Sequence, residues 1–262
     1  MGSSFVGYGI LLLISLRVGG PWLLRRGKSQ EWYDSWAIML WGIVNTFTEH
    51  RWGHPWNHGD YQHTSMGIIW WIAGMAGVFF SRHGQRTVIP SVLIILTAVA
   101  FQGHAQHVPN SAQVHSYFGY LLMAGGISRI IEICFVWKEG VFTITPWQYL
   151  PSMMLMMAGV MFMGATEEQL YLLNTLDIDP SSYSNVLLAF ALAIFLFVAV
   201  LIILWETLTN YASNAGYSEV ATDNIDTLHA DTEFLDDYDE EGYSDAVPLK
   251  ATRENGHVMN GN

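Results

Sequence analysis

Seven apolar runs limit what this chain can fold into more than any other feature of it. They cover about residues 5–24, 34–49, 61–80, 87–107, 113–137, 147–169 and 184–208, each bounded by charges, Pro, Gly or Asn. A hydrocarbon layer of roughly 30 Å takes about 20 helical residues to cross. The reading is therefore an all-α membrane protein, with residues 1–210 forming a seven-transmembrane-helix bundle in a lipid bilayer. The second run is the shortest of the seven.

Charge separates that bundle from the C-terminal remainder of the chain. The formal charge of the 262 residues is −12, but twelve acids and two bases lie from Tyr211 onward, so the first 210 residues carry only −2. A polar, acidic stretch with few apolar residues has the composition of disorder. Residues 211–262 are expected to be a disordered acidic tail able to recruit cytosolic partners. The tetrapeptide Tyr217-Ser-Glu-Val220 within it fits a tyrosine-based sorting signal. No concentrated basic patch exists, which argues against nucleic acid as a partner. The single cysteine, Cys134, excludes an internal disulfide and reads as a small packing residue in an apolar helix.

The bases orient the bundle. Arg25, Arg26 and Lys28 follow the first run, Arg82 and Arg86 separate the third from the fourth, and Lys138 follows the fifth. The alternate loops hold only Arg51. Lys and Arg accumulate on the cytoplasmic side of membrane proteins. The N-terminus is then lumenal or extracellular, and the acidic tail is cytoplasmic.

That orientation collects histidines at the outer face. His50, His54, His58 and His63 join the second and third runs, His104 and His107 close the fourth, and His115 opens the fifth. Glu167 and Glu168 close the sixth. His104 and His107 are three residues apart and share a helix face. Imidazoles and a carboxylate gathered from several helices suit zinc, iron or copper. The expected metal ligands are His63, His104, His107 and His115, with His50, His54 and His58 auxiliary and Glu167 or Glu168 as ligand or proton acceptor. Haem between facing histidines is the second choice of cofactor. The competing reading leaves the same histidines at headgroup level beside an aromatic belt of Trp52, Trp56, Trp70 and Trp71.

Two further groups stand out. Six methionines (Met153, Met154, Met156, Met157, Met161 and Met163) crowd the sixth run and read as flexible packing before they read as a Cu(I) site. Arg129 and Glu132 are spaced to pair on one helix face, with Arg17 as the expected third member. Gly74 and Gly77, and Gly125 and Gly126, allow close helix contact.

Four segments resemble the C-terminal domain of the fungal Ytp-type membrane proteins: YQHTSMGIIWWIAG (61–74), HGQRTVIPSVLIILTAVAFQGHAQH (83–107), VHSYFGYLLMAGGISRIIEICFV (114–136) and FMGATEEQL (162–170). The likeness runs from about residue 40 to 205. The pattern Gln62-His63-Thr64 and Met66, then Phe101, His107 and His115, is more distantly similar to the transmembrane-protein-45 family, in which an acid stands where this chain has Gln102. The Ytp-type resemblance implies a multi-pass membrane protein without an assigned activity. It also implies a further N-terminal membrane region, absent or truncated here. Two functions are expected in the alternative. One is a His/Glu metal or cofactor centre at the lumenal or extracellular face, acting in metal-dependent hydrolysis or redox. The other is a non-enzymatic scaffold, trafficking factor or transporter whose interfacial histidines are structural or sense pH.

Overall fold

A computed structural model describes residues 2–102, 111–137 and 143–233. Helix α1 (Gly2–Ile14) passes through a π-helical turn (Ser15–Gly19) into α2 (Gly20–Arg26). It is followed by α3 (Gln30–Thr48), α4 (His58–Phe80), α5 (Ile89–Gln102) and α6 (Ser111–Ile131), the last extended by a second π-helical turn (Glu132–Val136). A 3₁₀ turn (Pro146–Tyr149) leads into α7 (Leu150–Met163), then come α8 (Glu167–Thr175) and α9 (Pro180–Glu233). Among the described residues there is no strand. The chain separates into two units, Met1–Thr207 and Leu208–Asn262. In the second unit the backbone of α9 is helical as far as Glu233, so the change in composition at Tyr211 does not coincide with a helix end.

The local chemistry sets several helix ends. Asn57 and Asp60 form a reciprocal capping box that starts α4, the Asn57 side chain accepting from the Asp60 amide and the Asp60 carboxylate from the Asn57 amide. Pro151 stands in the first turn of α7, where a missing amide hydrogen costs nothing. The sixth apolar run predicts a helix that continues to residue 169, but α7 ends at Met163 and the chain turns by 70° into α8. Thr166 caps the new helix, so Glu167 and Glu168 open an element and do not close one.

The expected seven spans are not all evident. Among the described residues four helices are long and apolar enough to cross a bilayer (Gly2–Arg26, Gly59–Phe80, Ser111–Val136 and Pro180–Asn210), or five if the bent pair α7–α8 is one span. Helix α3 has the length, 19 residues, but carries Glu31, Asp34 and Asn45. Helix α5 is apolar but is described over only 14 residues.

The first unit is built from antiparallel pairs. Along α3 and α4, a Cβ added at Gly74 would come within 2.7 Å of the Met39 backbone, and one at Gly67 within 2.7 Å of the Thr46 amide. Between α5 and α6, a Cβ at Gly126 would sit 2.9 Å from the Ser91 carbonyl. Gly2 lies against Met163, and Gly9 against Met156 and Ser152, pairing α1 with α7. Small residues let helix backbones approach where lipid supplies no hydrophobic drive for association.

These pairs meet around Phe118 of α6, which is fully buried against Phe5, Phe101 and Phe162 at ring-centroid distances of 5.9, 5.0 and 4.9 Å. Tilted and edge-on ring pairs of this kind add about 0.5–1.5 kcal/mol each beyond the area they bury. Met156 and Met161 are buried in the same region, which agrees with packing as the work of the methionine cluster. Helix α9 joins through Phe195 and Ile202, packed with Leu13 and Met156. Val186, Phe190, Phe197 and Val200 on α9 are each at least 60% exposed, the surface expected of a helix that faces lipid. Cys134, read from the sequence as a packing residue, is exposed.

Candidate functional site

Five charged side chains from two helices and one loop meet at the end of the bundle that carries the basic loops. Glu31, in the first turn of α3, is almost completely buried. Its carboxylate accepts from Arg86 Nε at 2.7 Å and Nη2 at 2.6 Å, and from Arg129 Nη2 at 2.8 Å. Arg129 also donates through Nη1 to Glu132 at 2.6 Å, the pairing expected from their spacing. Glu132 is itself buried and begins the π-helical turn at the end of α6. The Arg86 guanidinium lies over the Trp137 ring, 4.8 Å from its centre, a cation–π contact that closes the outer side of the network.

Asp34 stands one turn beyond Glu31 and is buried. It accepts one hydrogen bond, from Tyr8 Oη of α1 at 2.7 Å. Arg129 and Arg86 act on it through space and not as ion-pair partners. Asp34 and Arg129 are among the residues that line a cavity of about 190 Å³ within the first unit. Tyr8, Trp41, Trp70 and Leu122 supply much of the remaining wall. Trp70, which the competing reading of the sequence puts in an aromatic belt, is inside the bundle: it is buried, and its indole nitrogen donates to Thr97 Oγ1 at 2.9 Å.

Arg17 does not join this network, contrary to expectation. It sits in the first π-helical turn and pairs with Glu206 of α9, donating from Nε to Oε1 at 3.1 Å and from Nη1 to Tyr149 Oη at 2.9 Å. Each π-helical turn thus holds one member of an ion pair, Arg17 or Glu132. Such turns interrupt α-helices frequently at functional sites.

The histidine end is organised differently. His50 Nδ1 is 3.1 Å from Asp60 Oδ2, and its ring stacks on Trp56 at 4.0 Å with an interplanar angle of 5°. Trp56 in turn stacks on Tyr61 at 5.1 Å. His63 Nδ1 is 3.1 Å from Glu49 Oε2. His115 Nδ1 lies 2.9 Å from the Ser111 carbonyl, one turn earlier in α6. His54 is exposed, and His58 opens α4. Glu167 and Glu168 are exposed in the first turn of α8. His104 and His107 lie outside the described residues. Among the described residues no three His, Cys, Asp or Glu side chains are grouped as a metal site. What is on view is two separate His–carboxylate pairs and a His–carbonyl contact.

The residues that sequence reasoning misses are Glu31, Asp34 and Arg86. In the sequence Arg86 reads only as a loop base, and neither acid is singled out. One signal was available. Glu31 and Asp34 are three apart at the start of an apolar run on the basic side, where acids need partners from other helices. All five acids in residues 1–137 are engaged by another side chain: Glu31, Asp34, Glu49, Asp60 and Glu132.

Comparison with known proteins bears on the whole of this unit. The family described as Protein YTP1-like, C-terminal, matches residues 1–206. Protein YTP1 of Saccharomyces cerevisiae is 46% identical over 200 residues, which cover 74% of this chain and 43% of that protein. An uncharacterised membrane protein of Schizosaccharomyces pombe is 23% identical over 199 residues, covering 62% of this chain and 39% of the relative. A second uncharacterised membrane protein of Saccharomyces cerevisiae is 22% identical over 191 residues, covering 62% of this chain and 30% of the relative. The chain therefore spans less than half the length of each of these relatives. No solved structure matches it.

Proposed function

The chain belongs to the YTP1-like, C-terminal family, and from that premise we propose that it is a multi-pass membrane protein whose helices bind a small organic molecule. The observation that carries this reading is the cavity bordered by Tyr8, Asp34 and Arg129. Ligand sites in helical bundles lie between helices, and they combine apolar walls with a few convergent polar groups. A cavity of about 150 Å³ lined by apolar side chains holds benzene, so 190 Å³ suits a ligand of roughly the size of a substituted benzene ring. The site needs no chemistry beyond binding, and the role is that of a carrier or receptor.

The test uses 2-phenylethanol on protein in lipid nanodiscs. The expected result is saturable quenching of tryptophan fluorescence, with Trp41 and Trp70 at the cavity wall. Ala37→Leu, which puts three more carbons into the cavity, removes the quenching while Tm is held or raised. Quenching that never saturates, or that survives Ala37→Leu unchanged, sinks the reading.

In the bilayer we place all seven runs as spans, with α3 crossing beside α4. Their glycine contacts, distributed from Gly42 to Gly77, support this arrangement. The N-terminus is on the lumenal or extracellular side, and the acidic tail is in the cytoplasm, where it meets its partners.

A second reading is favoured by the histidine geometry. His50, His63 and His115 each present Nδ1 to an oxygen acceptor. That is how a ring is oriented when Nε2 serves a metal. In this reading His63, His104, His107 and His115 hold zinc, iron or copper at the outer face, with Glu167 or Glu168 as ligand or proton acceptor. Elemental analysis and a visible spectrum of purified protein decide it. Stoichiometric metal that is lost in the His104→Ala, His107→Ala double variant supports the site, and a Soret band makes the metal haem. Metal content at the background level in the unaltered protein ends this reading.

A further inference from the structure

We infer that the ligand of the Tyr8–Asp34 cavity is an organic monocation, a protonated amine on a small apolar body. The assignment rests on the cavity reading and goes beyond it by fixing the sign of the ligand's charge. Counting charges supplies that sign. Among the described residues the network brings together three carboxylates (Glu31, Asp34 and Glu132) and two guanidiniums (Arg86 and Arg129). Both guanidiniums are committed. Arg86 places Nε and Nη2 on Glu31, while Arg129 divides Nη2 and Nη1 between Glu31 and Glu132. The carboxylate left over is Asp34, and it faces the cavity with a phenol as its sole hydrogen-bond partner among the described residues. A buried carboxylate whose neighbouring guanidiniums are bonded to other acids is costly, and a bound cation would lower that cost.

The walls suit the same ligand. Trp41, Trp70, Phe5 and Tyr8 surround the space, and aromatic faces attract ammonium groups, most strongly where water is excluded. An anion meets the reverse situation. It would have to sit beside Asp34 and could recruit only a guanidinium already held by two carboxylates. A neutral molecule fills the space but leaves Asp34 as it was.

Three probes of matched size separate these cases in nanodiscs at neutral pH: 2-phenylethylamine (protonated there), 2-phenylethanol and phenylacetate. The expected order places the amine at least tenfold tighter than the alcohol, with phenylacetate weakest. Asp34→Asn is expected to bring the amine down to the affinity of the alcohol and to leave the alcohol within about twofold. The wild-type series decides the matter by itself if that variant does not fold. Saturable binding of the alcohol with an amine no tighter than it overturns the cationic assignment and leaves the cavity reading intact. Preference for phenylacetate overturns the assignment by reversing its sign. If no probe binds saturably, the cavity reading fails, and this inference fails with it.

Discussion

Glu31 does at the residue scale what no other acid among the described residues does: almost completely buried itself, it holds two arginines from different elements. Losing one partner of such a network leaves the others charged and unpaired, which costs about 3–5 kcal/mol. Glu206 is the natural control. It holds one arginine and not two, and both side chains of the pair keep a fifth to a quarter of their surface exposed, against 1% for Glu31, so its loss costs less, toward the roughly 0–1 kcal/mol of surface pairs. Glu31→Gln should therefore lower Tm of the purified protein in detergent by about 10 °C or more, and Glu206→Gln by no more than about 3 °C. Equal shifts in the two variants would remove Glu31 from the centre of the network. The same residues separate what a sequence can tell from what it cannot. Arg129 and Glu132 are legible as a pair because three residues on one helix face fix their meeting. Arg86 and Arg129 reach Glu31 across 55 and 98 residues of chain, and no local spacing encodes that. The histidines show the same limit: their crowding is legible in sequence, but the pairing of His50 with Asp60 and of His63 with Glu49 across the α3–α4 connection is not.

At the scale of the element, close packing of α3 on α4 is what carries Glu31 and Asp34 into the bundle. Composition picks out the run 34–49, but over its full length α3 carries Glu31, Asp34 and Asn45, and its place is set by the small residues it meets. A side chain at Gly74 would run into the Met39 backbone at 2.7 Å, and backbone cannot swing aside as the end of a side chain can. A Cβ at Gly7 of α1 would meet nothing within 4 Å. Gly74→Ala should then destabilise by about 1–3 kcal/mol, the usual cost of overpacking. Gly7→Ala should be neutral or slightly stabilising, because alanine is the better helix former. Thermal unfolding of the two variants side by side checks this, and a tolerated Gly74→Ala would mean that α3 and α4 stand further apart than this packing requires. The glycines and the start of α4 are legible in the sequence because their causes are local: small side chains in one case, the Asn57–Asp60 capping box in the other. The break between α7 and α8 is not. An unbroken apolar count runs through Gly164, while the 70° turn depends on a polar cap at Thr166 and on Tyr183 Oη donating to the Gly164 carbonyl at 2.8 Å from a distant helix.

For the whole molecule, the physical issue is which end of the bundle faces the cytosol, because that decides which side the charge network lies toward. Lys28 donates to the Arg82 carbonyl, and Ser29 Oγ to the Gln85 carbonyl at 2.8 Å, so the loops after α2 and α4 are joined at one end. The segment 49–57, with Arg51 and the stacked His50, lies at the opposite end of the α3–α4 pair. In the orientation proposed above, the excess of Lys and Arg puts the first end in the cytosol. Single cysteines test this directly once Cys134 is replaced by Ser. Arg51→Cys, at an exposed position, should react with a membrane-impermeant maleimide added to the non-cytosolic side of sealed membranes. Arg82→Cys, also at an exposed position, should react only after the membranes are opened. Labelling of both from one side would mean that α4 does not cross the bilayer, and the paired-helix arrangement would fall. Labelling with the sides exchanged would keep every helix contact and reverse only the orientation. The Asp34 cavity and its network would then lie toward the outer compartment, and the histidine loops toward the cytosol.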